Sequence, residues 1–136
     1  MPAWEYPLKS MQLLEIYRCF CDETRLRILH LLTQGPLCVC HFQSILQAPQ
    51  VAISKHLAYL REHGLVTARR HEQWMIYRLP DRRSNELHRQ LQCLQDCVAS
   101  HPVFRNDLKR LKKLQRECDW IAEVIPSAEK KVTVSA

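Results

Sequence analysis

Apolar residues recur at helical spacing through the first third of the chain. Leu8, Met11, Leu14, Ile16 and Phe20 predict a first helix from Leu8 to Phe20. Asp22 is placed as the N-cap of a second helix carrying Leu26, Ile28, Leu29, Leu31 and Leu32, which Gly35-Pro36 ends. A short helix follows over Val39–Leu46, and Ala48-Pro49-Gln50 breaks the pattern. The next helix, about Val51 to His63, places Ile53, Leu57 and Leu60 on one face and stops at Gly64. Two helices separated by a turn of a few residues are the signature of a helix-turn-helix.

The pattern then changes. Leu65-Val66-Thr67-Ala68 and Trp74-Met75-Ile76-Tyr77-Arg78-Leu79 read as two strands around a polar turn, Arg69-Arg70-His71-Glu72-Gln73, and Pro80 closes the hairpin. A hairpin in this position is the wing of a winged helix. Helical spacing returns from Arg82 to Ser100, with Leu87, Leu91, Leu94 and Val98, and Pro102 interrupts it. Phe104, Leu108, Leu111, Leu114, Cys118 and Ile121 mark a last amphipathic helix, dense in Lys and Arg on its other side. The expected fold is mainly α with a small β-hairpin, a winged helix-turn-helix. The expected organisation is an N-terminal tail (1–8), a winged helix-turn-helix with its dimerisation helices (9–100), a helical extension (101–126) and a tail (127–136).

The polar face of the second helix of the pair carries Gln50, Ser54, Lys55 and His56. Such groups, at the front of a helix that enters the major groove, reach base edges and phosphates. Arg69 and Arg70 on the wing are placed for a neighbouring phosphate or the minor groove. Singly, each reads as an ordinary solvated side chain. Their order along one unit, in a chain of net charge +6, points to DNA.

Composition narrows the class further. Of 136 residues, 46% are hydrophobic and 25% charged, and only two are glycine, Gly35 and Gly64. Gly-rich phosphate loops are therefore excluded, and neither a Gly-x-Ser-x-Gly elbow nor a His-Glu-x-x-His helix occurs, so an enzyme is not expected. No window offers the 18 apolar residues of a membrane span, and the N-terminus lacks a secretory pattern. Seven cysteines, an odd number, argue against a closed disulfide framework. A reducing cytoplasm is expected, with thiols as metal ligands, redox sensors or core residues.

Two of those thiols stand apart. Leu37-Cys38-Val39-Cys40 places a Cys-x-Cys where the chain turns into the first helix of the pair. Thiolate is a soft ligand, and free amides with the helix dipole are expected to favour the thiolate form there. The alternative is two small buried thiols. His41 could join them in a zinc site. Cys93 and Cys97, four apart, are expected to share a helix face. Cys19 and Cys21 fall on opposite sides of a helix, where at least one reads as core filler, and Cys118 reads as packing.

Together, Asp22-Glu23-Thr24-Arg25-Leu26-Arg27-Ile28, Leu37-Cys38-Val39-Cys40, Ile53 to Val66 and Trp74 to Leu79 resemble the ArsR/SmtB family of bacterial metal-responsive repressors, over about residues 10–100. The Leu-Cys-Val-Cys stretch resembles its arsenic-responsive branch. The resemblance implies a homodimer joined through terminal helices, bound to double-stranded operator DNA and released by its inducer, As(III) or Sb(III), held by Cys38 and Cys40. No organic cofactor and no membrane partner are implied. It places Gln50, Ser54, Lys55 and His56 on recognition-helix positions. Departures are informative. Gln43 stands where many relatives have a third cysteine, so a third ligand would come from Cys93, Cys97 or Cys19, or from outside the protein. His41 stands where an Asp is common. The wing has His71-Glu72-Gln73 where a Gly is frequent. Of the zinc-sensing pattern on the long C-terminal helix only Asp81 survives, and His88 and His101 are unaligned with it. A thiol-redox or zinc/cadmium-responsive repressor is the alternative reading, and a structural zinc protein that binds partners through its C-terminal helices stands further off.

Overall fold

The computed structural model describes residues 6–117; the expectations for Cys118, Ile121 and the 127–136 tail lie outside them. The elements run α1 (Tyr6–Phe20), α2 (Glu23–Leu32), β1 (Leu37–Cys38), α3 (Val39–Leu46), α4 (Gln50–Glu62), β2 (Thr67–His71), β3 (Trp74–Arg78), α5 (Asn85–Asp96), a single 3-10 turn (Cys97–Ala99) and α6 (Pro102–Glu117).

Helix α2 begins as its sequence dictates. Asp22 is extended and its carboxylate accepts the Arg25 N–H at 3.0 Å. Such a cap contributes about 1 kcal/mol. Five consecutive residues, Ile28 to Leu32, are buried, and a helix buried on every side belongs at the centre of its domain. Helices α1, α4, α5 and α6 all pack on α2, and α3 touches it as well. Gly35 follows with φ +144, a conformation that suits glycine.

Helices α3 and α4 form the helix-turn-helix, with Ile53, Leu57 and Leu60 fully buried beneath α4. Between them Gln47 takes φ +53, the left-handed conformation that turns the chain without a glycine.

The hairpin differs from its expected form. Arg69, Arg70 and His71 lie within β2, not in the turn, and pair with Ile76, Met75 and Trp74. The loop is the two residues Glu72 and Gln73, and Glu72 supplies the positive φ (+55) that a glycine would otherwise take. The sheet also has a third strand that periodicity did not announce. Leu37 and Cys38 pair antiparallel with Tyr77 and Ile76, giving the order β1-β3-β2. Two residues are too few to show a period of two.

The helix expected over Arg82–Ser100 is shorter at both ends. Ser84 caps it by accepting the Leu87 N–H, and Cys97 already begins the 3-10 turn. Pro102 does not merely interrupt the chain: it is the first residue of α6, where its missing N–H costs nothing. Helix α6 returns across α2 and α3. Phe104 and Leu111 are buried beneath it, and so is Asp107, which is completely enclosed. Asp107 receives Arg27 Nε and Nη2, each at 2.8 Å, in a two-pronged pair between α2 and α6. That hydrogen bonding raises the Arg27 pKa against the opposing effect of burial. Alongside, His30 is fully buried, its ring 5.0 Å from that of Phe104. Neither of its ring nitrogens has a hydrogen-bond partner among the described residues. Burial lowers its pKa, which nearby Asp107 opposes.

No helix among the described residues is long and apolar enough to cross a membrane.

Candidate DNA interface and thiol site

Helix α4 leaves its front in solvent. Pro49 precedes it in extended form and provides no side-chain cap, so the first amides of the helix stay available to an oxygen ligand. Of the four residues singled out on this helix, Gln50 and Lys55 are exposed, while Ser54 and His56 are half-buried. His56 leans back: its Nδ1 lies 4.0 Å from Asp22 Oδ1, the same carboxylate that caps α2. Hydrogen bonding from the Arg25 amide holds the Asp22 pKa below its usual value, and His56 adds to this. Val51 belongs beside them, although its sequence pattern marks only the start of the helix. It is 66% exposed, and an apolar side chain at the front of such a helix can meet a thymine methyl.

One guanidinium fixes the back of α4. Arg25 donates to the carbonyls of Cys19 (3.0 Å) and Arg18 (2.9 Å) at the end of α1. Its carbon also sits 4.4 Å from the centre of the Tyr59 ring on α4, within cation–π range. The wing extends from the same body, with Arg69 and Arg70 exposed on β2.

The thiols lie where the sheet meets the helix-turn-helix. Cys38 is both the last residue of β1 and the N-cap of α3, and Cys40 is in the first turn of α3. Cys38 is 2% exposed and packs with Ile76, and half-buried Cys40 and Trp74 pack against that pair. The expectation of a helix-stabilised thiolate is corrected here. Burial, with a smaller contribution from neighbouring Cys40, pushes the Cys38 thiol up to about 12, so the fold keeps it protonated. His41 is also buried, and burial lowers its pKa to about 4. Its Nδ1 accepts the Cys38 N–H at 2.9 Å, a helix-capping role.

The remaining candidates are dispersed. Cys19 is fully buried in the core, and burial raises it to about 11. Cys93 is exposed on α5. Cys97 is half-buried and is the C-cap of α5, still in the αR conformation, where the 3-10 turn begins. Asp81 makes a 2.6 Å ion pair with Arg78. No disulfide joins the cysteines of the described residues, and no three potential metal ligands cluster among those residues.

A winged helix-turn-helix with an exposed recognition helix and cationic wing defines a DNA-binding transcription regulator rather than an enzyme. Comparison with known proteins narrows this. The family model described as bacterial regulatory protein, arsR family, matches residues 22–68. The arsenic resistance transcriptional regulator ArsR1 of Pseudomonas putida is 45% identical over 65 residues, covering 47% of this chain. The arsenical resistance operon repressor of Escherichia coli is 45% identical over 67 residues, covering 48% of this chain. These matches span 51% and 57% of the relatives' own lengths. Among solved structures, HlyU from Vibrio cholerae superposes with a TM-score of 0.60 at 32% identity, over 67% of this chain and 96% of that one. The chain belongs to the ArsR family.

Proposed function

We propose that this protein is an arsenite- or antimonite-responsive repressor that binds operator DNA as a homodimer and leaves it when Cys38 and Cys40 bind As(III). The carrying observation is the position of the two thiols. They sit between β3 of the wing and α3, the helix that leads through the Gln47 turn to the DNA-reading helix α4. The names of the arsenic-resistance relatives support the choice of inducer. For the dimer, Leu14 and Tyr17 of α1 are 51% and 45% exposed. Gln90 of α5 donates to the Tyr17 hydroxyl at 3.4 Å, so α1 and α5 offer a common face.

Burial of Cys38 supplies the coupling. Each thiol replaces one hydroxide of As(OH)₃; its proton leaves with that hydroxide as water. In this reading, drawing both sulfurs into one three-coordinate pyramid pulls the buried Cys38 away from its packing against Ile76. That strains the β1–β3 pairing on one side and the first turn of α3 on the other. The wing and the recognition helix therefore lose their alignment together. A third donor is Cys93, Cys97 or Cys19, or an exogenous hydroxide or thiol; the burial of Cys19 weighs against it. An allosteric coupling of about 1–3 kcal/mol corresponds to a change of roughly 5–150-fold in DNA affinity.

Operator binding titrated with arsenite tests this. Cys38→Ser and Cys40→Ser proteins are expected to bind DNA like the wild type and to remain bound when arsenite is added. Release of either variant at the wild-type arsenite concentration refutes the site. The zinc reading is disfavoured by Asp81, whose carboxylate is engaged by Arg78.

A further inference from the structure

Helix α6 holds a surface that the recognition helix and wing do not account for. It contains six cationic residues, Arg105, Lys109, Arg110, Lys112, Lys113 and Arg116, all exposed. Set against its two carboxylates they leave +4 on 16 residues, of +6 for the whole chain. One of those carboxylates, Asp107, is enclosed and already paired with Arg27. The other, Glu117, lies 4.0 Å from Lys113 in an exposed ion pair of little strength.

The position of α6 decides what this charge can meet. Phe104, Asp107 and Leu111 fix which side faces the core. Arg110 Nη1 donates to the Ile45 carbonyl at 2.9 Å, tying α6 to the C-terminal end of α3. A cleft of about 260 Å³ opens beside that bond, lined by Ser44, Gln47, Arg110, Lys113, Leu114 and Glu117. Gln47 is the left-handed residue of the turn, three positions before Gln50 opens the recognition helix. The cationic side of α6 thus begins beside the turn that delivers α4 to the major groove, next to where the sugar–phosphate backbone must run.

We propose that α6 is a second DNA-binding element, a phosphate clamp whose Lys109, Lys112, Lys113 and Arg116 grip the duplex backbone flanking the site read by α4. Arg110 is a positioning residue, anchoring the clamp to α3. The partner is duplex DNA of any sequence, because a helix side made of point charges and long flexible stems carries no base-edge code. The inference rests on the DNA-binding class of the protein and is independent of the arsenite reading.

Affinity is measured against salt for wild-type protein and for K109Q/K112Q/K113Q/R116Q, on a duplex from the protein's own promoter and on an unrelated duplex of equal length. Thermal denaturation is expected to be unchanged, since these side chains are exposed. Every phosphate that is no longer neutralised reduces the magnitude of the negative slope of log K against log salt by about 0.9. The variant is expected to neutralise at least two fewer phosphates per subunit and to bind about tenfold or more weakly on both duplexes, with their ratio kept. The Lys→Arg triple variant at 109, 112 and 113 is expected to retain the wild-type slope. An unchanged slope in the Gln variant overturns the proposal and leaves the cations to solvent or an acidic protein. A loss confined to the promoter duplex also overturns it, pointing instead to distortion of α4. Failure of the wild type to prefer its promoter would count against the operator reading, while the slope comparison still decides the role of α6.

Discussion

At its N-terminal end α3 meets a two-residue strand, two small thiols and the flank of the wing. At its C-terminal end it is held by Arg110 from a helix that a buried Arg–Asp pair fastens to the core. The first end has short pairing and polarisable atoms that another ligand can reorganise. The second has an enclosed charge that is costly to separate from its partner. In the proposed mechanism, a helix anchored at one end and adjustable at the other would turn a local change at the sulfurs into a rotation, which α4, joined through the Gln47 turn, would follow.

Breaking the anchored end is expected to have the largest effect. Asp107→Ala strands Arg27 without its carboxylate and costs about 3–5 kcal/mol, towards the lower figure because 17% of the Arg27 side chain reaches solvent. Denaturant unfolding measures the loss; a change below about 1 kcal/mol would show that α6 is not an anchor. Acid is expected to weaken the same end to a smaller degree. Burial depresses the pKa of His30 below its ordinary value of 6.5, so the unfolded chain takes up the proton first. Its contribution is complete above about pH 6.5 and is lost as pH falls from there through the lower folded value. The stability–pH curve of His30→Leu is expected to be flatter over that window, and an identical slope would remove His30 from the account.

The adjustable end is read by spectroscopy. Trp74 packs against the Cys38–Ile76 pair together with Cys40, so arsenite is expected to change its emission, and Trp74→Phe protein to lose that change. An arsenite signal that persists in full without Trp74 would place the movement away from the sheet. The smallest effect is a gain. Glu72 holds a φ of +55 at the tip of the wing, and Glu72→Gly is expected to stabilise the fold by a few tenths of a kcal/mol, relief of the left-handed strain exceeding the added freedom of the unfolded chain. A stability loss in that variant would mean that the Glu72 side chain itself supports the hairpin.

What can be read from the sequence follows from how each feature is encoded. The Asp22 cap and the Val39–Leu46 helix are legible because a cap and an amphipathic period are local signals, and both appear where expected. The recognition helix begins one residue earlier than its pattern, at Gln50, since an extended Pro49 can serve as its N-cap. Strand β1 is illegible because its partner, Ile76, lies 38 positions from Cys38 and its two residues show no alternation. Asp107 escapes notice for another reason: a single carboxylate among lysines and arginines looks solvated until the fold brings Arg27 against it. The Cys-x-Cys is legible as a pair, but the state of Cys38 is not. Dipole and free amides are properties of the helix start, whereas burial against Ile76 is a property of the sheet, and burial dominates.

The guanidinium of Arg25 has a bearing on how two copies of this chain would share one operator. It closes the last carbonyls of α1 while lying over Tyr59 of α4. In the proposed dimer α1 belongs to the subunit contact, so this one planar group would couple the twist between protomers to α4. The number of base pairs between half-sites would then be gauged by a side chain placed on neither the DNA-facing front of α4 nor the thiol site.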